Sequence, residues 1–267
     1  MFHDHHRDHR DDQLQILDQQ RRVATKLNSL HSLDPPLSTR ATAMSTTTTT
    51  TTTTTPRAPL RMVVLISGNG SNLQALIDAT QPNHPLASVN AEIVLVVSNK
   101  PGAFGLTRAT NANIATLTYP PTKFRKTIKG AAWRAAYDAE VGDLVAAAKP
   151  DIVVLAGWMH ILTPAFLDRL PGKVINLHPA LPGEFDGAHA IERAFQAFQE
   201  GKITRTGIMV HHVIPEVDRG EVIVKREVPI YKEDTLEKLE ERIHAAEHQL
   251  IVEGAVTFLK KLQQQRA

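Results

Sequence analysis

The chain has no cysteine, so disulfides and thiolate metal sites are excluded. It has almost no net charge: 30 Lys and Arg stand against 28 Asp and Glu, a formal +2, which gives no bulk electrostatic case for a nucleic-acid partner. No apolar run approaches the roughly 18 residues of a membrane span, and no membrane partner is expected. The first residues lack the apolar stretch of a secretory signal. Asp4, Asp8, Asp11 and Asp12 argue against an acid-poor organellar transit peptide. The expected location is the cytoplasm. What is present is ordinary for a soluble globular protein: 42% hydrophobic and 22% charged residues over a length of 267.

Residues 1–59 differ in composition from the rest. Thr46 to Thr55 is an unbroken threonine run flanked by Ser45 and Pro56. Such a tract cannot bury a core, and a disordered low-complexity tail is expected over 1–59. Gln13 to Leu30 carries a weak helical pattern, read as a mobile segment. His3, His5, His6 and His9 read as a solvated tail rather than a metal site.

Residues 60–267 are expected to form one domain. Apolar runs at Met62–Ile66, Ile93–Val97, Ile114–Leu117, Ile152–Ala156 and Val174–Leu177 alternate with helical patterns. Runs apolar on both faces and separated by helices predict a mostly parallel, Rossmann-like α/β sheet covered on both sides. Thr204–Val213 and Glu221–Val228 follow each other directly and predict an antiparallel pair at the sheet edge. Leu236–Leu262 predicts a long C-terminal helix with Leu239, Ile243, Ala246, Leu250 and Val252 inward.

The run ending at Leu177 belongs to Asn176-Leu177-His178-Pro179. An Asn and a His two apart on a strand share a face. Pro179 has no N–H and tends to end the strand at the His. Open α/β sheets keep their sites at such strand ends. A neutral donor beside a titratable donor suits an oxyanion formed in acyl or formyl transfer. A strand-end His bonded to a nearby carbonyl is the simpler alternative.

Ser67-Gly68-Asn69-Gly70-Ser71-Asn72 joins the first strand to the first helix. Glycines permit close backbone approach, and N–H groups at a helix start bind anions. Ser71 and Asn72 can add donors and cap the helix. Leu73 replaces the third glycine of a dinucleotide fingerprint, and the second strand ends in Ser98-Asn99-Lys100 without an acid for a ribose. A Walker lysine is also missing, so a phosphate monoester fits better; a ligand-free tight turn is the alternative. Asp218, in Pro215-Glu216-Val217-Asp218-Arg219-Gly220, is either a turn-forming Asp or a carboxylate that orients and charges His178. His244-Ala245-Ala246-Glu247-His248 matches a zinc-peptidase pattern, but beyond it only Glu253 could serve as a third ligand, and it is poorly placed. No metal is expected, and Glu247 is read as a lone carboxylate facing a cleft.

These motifs together resemble the phosphoribosylglycinamide formyltransferases over roughly Arg61 to Leu259. Val63–Gln74 is similar to that family's opening strand and phosphate loop. Ser98-Asn99-Lys100 with Ala103-Phe104-Gly105-Leu106 is similar to its second strand and helix. Val153–Leu162 is similar to its folate-pocket strand and turn, and Asn176, His178 and Asp218 match its catalytic groups in type and order. The resemblance implies 10-formyltetrahydrofolate as cosubstrate and phosphoribosylglycinamide as acceptor. It implies that Gly70, Ser71 and Asn72 hold the phosphate and that Glu247 places the glycinamide end. Arg134, Met159, His160, Ile161 and Leu162 would hold the folate. Two features depart from the family: the loop Ala180–Gly187, and His160 where an Arg is frequent. Lys123–Lys129 reads as an inserted basic loop, a solvated face or a contact for the folate glutamate tail. A formyltetrahydrofolate hydrolase and a non-catalytic phosphate-binding protein are the other readings. A methionyl-tRNA formyltransferase would need a basic C-terminal domain.

Overall fold

The computed structural model describes residues 58–267; the expectations for the threonine run and the Gln13–Leu30 pattern fall outside the described residues. Seven strands make one sheet: β1 (Leu60–Ile66), β2 (Ala91–Ser98), β3 (Thr116–Thr118), β4 (Ile152–Leu155), β5 (Val174–His178), β6 (Arg205–His212) and β7 (Val222–Pro229). Their order is β3-β2-β1-β4-β5-β6-β7. The first five pair in parallel, and β6 and β7 add antiparallel at one edge. Val63, Val64 and Leu65 in β1, and Ile152, Val153 and Val154 in β4, have no exposed surface. Burial on both faces is why these strands read as unbroken apolar runs.

Helices α1 (Ser71–Ala79), α2 (Phe104–Asn111), α3 (Thr122–Thr127), α4 (Ala132–Ala147), α5 (Pro164–Leu167), α6 (Ala190–Gln199) and α7 (Leu236–Gln265) cover the sheet. The third strand starts two residues later than its apolar run: Ile114 N still bonds back to Ala109 O on α2, and Ala115 O, which accepts from Val96 N, leads into the strand. The basic Lys123–Lys129 stretch is largely helix α3, not a loop; Phe124, its buried residue, anchors it against Tyr119 and Tyr137. Helix α7 buries Leu239, Ile243, Leu250, Ile251 and Leu259 together with Glu247, while Ala246 and Val252 are half-buried. A Cβ at Gly254 would lie 2.7 Å from Val210 Cγ1, so this glycine allows α7 to lie close on β6.

The chain leaves β1 toward β2 on one side and β4 toward β5 on the other. That reversal makes the β1/β4 boundary the topological switch point, where a crevice opens at the strand ends. A register shift between Val210 and His211 sets His211 opposite Val222 on β7. Such a bulge re-aims side chains beside a site.

Candidate active site

The loop after β1 is clamped before it enters α1. Gly70 is the helix N-cap, with φ +75°, and no side chain caps the helix. The expected capping by Ser71 and Asn72 is therefore corrected: both lie inside the first turn, and the left-handed glycine makes the entry. A Cβ on Gly70 would lie 2.6 Å from Gly105 Cα. Arg108 on α2 donates to Asn69 O and to Asn69 Oδ1, each at 3.0 Å. The first-turn N–H groups of α1 are thus held open at the sheet's C-terminal end. Asn72 turns its side chain to α7, and its Nδ2 donates to Glu247 Oε2 at 3.3 Å. Burial pushes the Glu247 carboxyl above its ordinary range, against the Asn72 hydrogen bond and the charge of His244. Asn72 and Glu247 thus meet; His244 is exposed, and no group of three metal-ligating side chains occurs among the described residues.

Strand β5 ends at His178, before Pro179, and Asn176 shares its face. The turn after His212 brings Asp218, with φ +56°, up to both. Asp218 Oδ2 lies 3.4 Å from His178 Nδ1, and Asp218 Oδ1 accepts from Asn176 Nδ2 at 3.4 Å. Asp218 is thus both a turn residue and a carboxylate within reach of His178 and Asn176. The departing loop after Pro179 closes the group from the other side. Gly187 N donates to Asp218 Oδ2 at 2.8 Å, and His178 Nε2 lies 3.3 Å from Phe185 O. Arg193 on α6 holds this loop by donating to Phe185 O and Asp186 O, each at 2.6 Å.

His178 is 4% exposed. Both its ring nitrogens face acceptors, which suits an imidazolium. Burial opposes that charge more strongly than Asp218 and the Phe185 carbonyl favour it, and His178 is held below the ordinary histidine value of 6.5. Asp218 raises the affinity of His178 for a proton, the direction expected of a carboxylate partner, while burial acts more strongly the other way. For Asp218, burial favours the neutral acid. The neighbouring His211, the Gly187 N–H and the charge of His178 outweigh it, and the carboxyl lies below its usual range. His211 was missed by the sequence reading. It is 2% exposed, and its Nε2 lies 3.3 Å from Asn176 Nδ2 and 3.5 Å from Asp218 Oδ1. Its only sequence signal is a histidine in the strand that precedes the Asp218 turn.

The loop after β4 is tied to the loop after β1. Ser67 N donates to Gly157 O at 3.0 Å, and Met159 N donates to Ser67 Oγ at 2.8 Å. Met159 and Ile161 are 77% and 53% exposed, an apolar ledge beside the crevice, while Leu162 is buried. The His160 side chain does not join that ledge. Its Nε2 lies 2.6 Å from Asp138 Oδ1, both side chains are nearly inaccessible, and Thr163 N donates to Asp138 Oδ2 at 2.6 Å. The His160 side chain is thus a buried latch, which leaves its main chain to meet a ligand. Arg134 is exposed on α4, its guanidinium 5.5 Å from the Trp133 ring, which is 5.9 Å from the His160 ring.

Residues 60–255 match the family model described as formyl transferase. The chain is 50% identical over 196 residues to the phosphoribosylglycinamide formyltransferase of Schizosaccharomyces pombe, covering 72% of this chain and 94% of that protein. The corresponding Dictyostelium discoideum protein is 48% identical over 197 residues, covering 72% and 94%. The solved structure of glycinamide ribonucleotide transformylase 1 from Symbiobacterium toebii superimposes with a TM-score of 0.67 at 32% identity, covering 76% of this chain and 89% of that one. With its mostly parallel sheet, its glycine-containing loop after β1 and its Asn, His and Asp at one strand end, the chain belongs to the formyl transferase family, among the phosphoribosylglycinamide formyltransferases.

Proposed function

We propose that this enzyme transfers the formyl group of 10-formyltetrahydrofolate to the amine of phosphoribosylglycinamide, a step of purine biosynthesis. The observation that carries the reading is the meeting of Asn176, His178 and Asp218 at the end of β5. In the proposed site the first-turn N–H groups at Gly70, Ser71 and Asn72 receive the phosphate. Glu247 accepts from the glycinamide end. The exposed apolar faces of Met159 and Ile161, with the main chain of His160 and Leu162, suit a flat ring system, and Arg134 suits a carboxylate.

The folate supplies an already electrophilic formyl carbon, so the transfer needs no metal to activate it. A bond forms between the acceptor nitrogen and that carbon, and the bond from the carbon to the folate nitrogen breaks. Asn176 donates to the oxyanion of the tetrahedral species, and His178 meets the same charge as an imidazolium. Developing negative charge beside His178 offsets the burial that disfavours its proton. Asp218, already ionised, supports that imidazolium and directs the amine's proton, through water, toward the leaving nitrogen.

The test is folate-dependent formylation by the purified chain, with and without phosphoribosylglycinamide. Formylated product formed only with the acceptor supports the reading. Formate released at the same rate without it would indicate the hydrolase, and no turnover with retained phosphate binding would indicate a non-catalytic protein.

A further inference from the structure

The mechanism above leaves one buried group of the site unused. His211 stands directly opposite Asn176 in the antiparallel register of β5 and β6. Its Nδ1 lies 2.8 Å from the His212 carbonyl oxygen. A carbonyl can only accept, so Nδ1 carries a proton and donates it. In the neutral ring, Nε2 then offers a lone pair. Asn176 Nδ2 is 3.3 Å from that nitrogen and 3.4 Å from Asp218 Oδ1. The two amide hydrogens therefore have one acceptor each. Reversing the amide would set its oxygen against the Asp218 carboxylate and against the lone pair of His211.

An imidazole lone pair at 3.3 Å is a weaker acceptor than a carboxylate or an oxyanion. The N–H that rests on His211 is the one an oxyanion can take over, while Asp218 keeps the other. We propose that His211 is a positioning residue of the formyl transfer. Resting on the function proposed above, it keeps the donor end of Asn176 turned into the site and yields one N–H to the oxyanion. It touches neither substrate in this role. The bulge beside Val210 and the close approach at Gly220 fit a histidine held in place. A Cβ on Gly220 would fall 1.8 Å from His212 O, the carbonyl oxygen that accepts from His211 Nδ1.

The experiment compares His211→Leu and His211→Gln, each alone and combined with Asn176→Ala, by steady-state kinetics and thermal midpoint. Leucine fills the space without an acceptor; glutamine restores one. The expected loss in kcat for His211→Leu is about 10-fold, the worth of one orienting hydrogen bond, with both KM values nearly unchanged. His211→Gln should stay within about 3-fold of the parent, since its amide oxygen can replace the Nε2 lone pair. Asn176→Ala should cost much less in the His211→Leu background than in the parent, because the two act as a unit. A parent-like kcat for His211→Leu, equal losses for both variants, or strictly multiplicative losses with Asn176→Ala would each overturn the proposal. Should His211→Leu fail to fold, His211→Gln decides: near-parental kcat supports the role, and a 10-fold loss in a folded protein, the magnitude of about one hydrogen bond, overturns it. Absence of formylation in the unaltered chain would defeat the function itself, so the two failures are distinguishable.

Discussion

Asp218 carries the sharpest prediction at the scale of single residues. Asp218→Asn keeps the shape and removes the charge that favours a proton on His178. The expected loss in kcat is about 10²-fold, the order of one transition-state contact, with small changes in KM. The pH profile gives an independent sign. Burial already holds His178 below 6.5, and Asp218 raises it from where burial alone would leave it. A reaction that needs the imidazolium declines as pH rises through that value. Removing the carboxylate lowers it further, so the alkaline limb of kcat should move to lower pH in Asp218→Asn. A limb that stays in place would separate Asp218 from His178. This pairing was half legible in the sequence. Asn176 and His178 could be placed on one face because a strand repeats every two residues. Asp218 could be ordered after them but not placed in space. His211 could not be read at all, since its position depends on antiparallel register and on a bulge that leaves no compositional mark.

Elements bring these residues together, and two loops do most of that work. The loop after Pro179 presents Phe185 O to His178 and Gly187 N to Asp218, and Arg193 on α6 holds it by two carbonyls. Arg193→Ala should lower kcat by about 10-fold, the effect of freeing two charge-assisted hydrogen bonds at the loop, while the thermal midpoint changes little because the side chain is on the surface. The loop after β4 depends on a different anchor. Asp138 is fully buried, faces His160 and accepts from Thr163 N. Asp138→Ala would orphan both partners and should cost roughly 3–5 kcal/mol of unfolding free energy by denaturant titration. Folate KM should rise in any fraction that stays folded, because Met159 to Leu162 lose their tether. A wild-type unfolding midpoint would show that the latch contributes nothing. Neither anchor was visible beforehand. Asp138 reads as one more helix residue, and the four-residue helix α5 is too short to show a period. Helix α3 escaped for the same reason, with Phe124 its only buried position.

At the scale of the whole molecule, the sheet was legible because its central strands are buried on both faces and announce themselves as continuous apolar runs. The antiparallel edge was legible because β6 and β7 follow each other without a helix between them. The boundary near residue 60 rests on composition alone. The threonine run offers no large apolar side chain, and the core among the described residues runs from Leu60 on β1 to Leu259 on α7. Deleting residues 1–58 should therefore leave kcat and both KM values unchanged. The thermal midpoint should stay within about 2 °C, the shift that about 0.5–1 kcal/mol produces in a domain of this size. Calorimetry of the full and shortened chains, read beside their kinetics, makes the comparison. A drop of 5 °C or more, about 1–2 kcal/mol, would mean that the segment buries surface against the domain, and the assignment of 1–59 as a separate tail would have to be withdrawn.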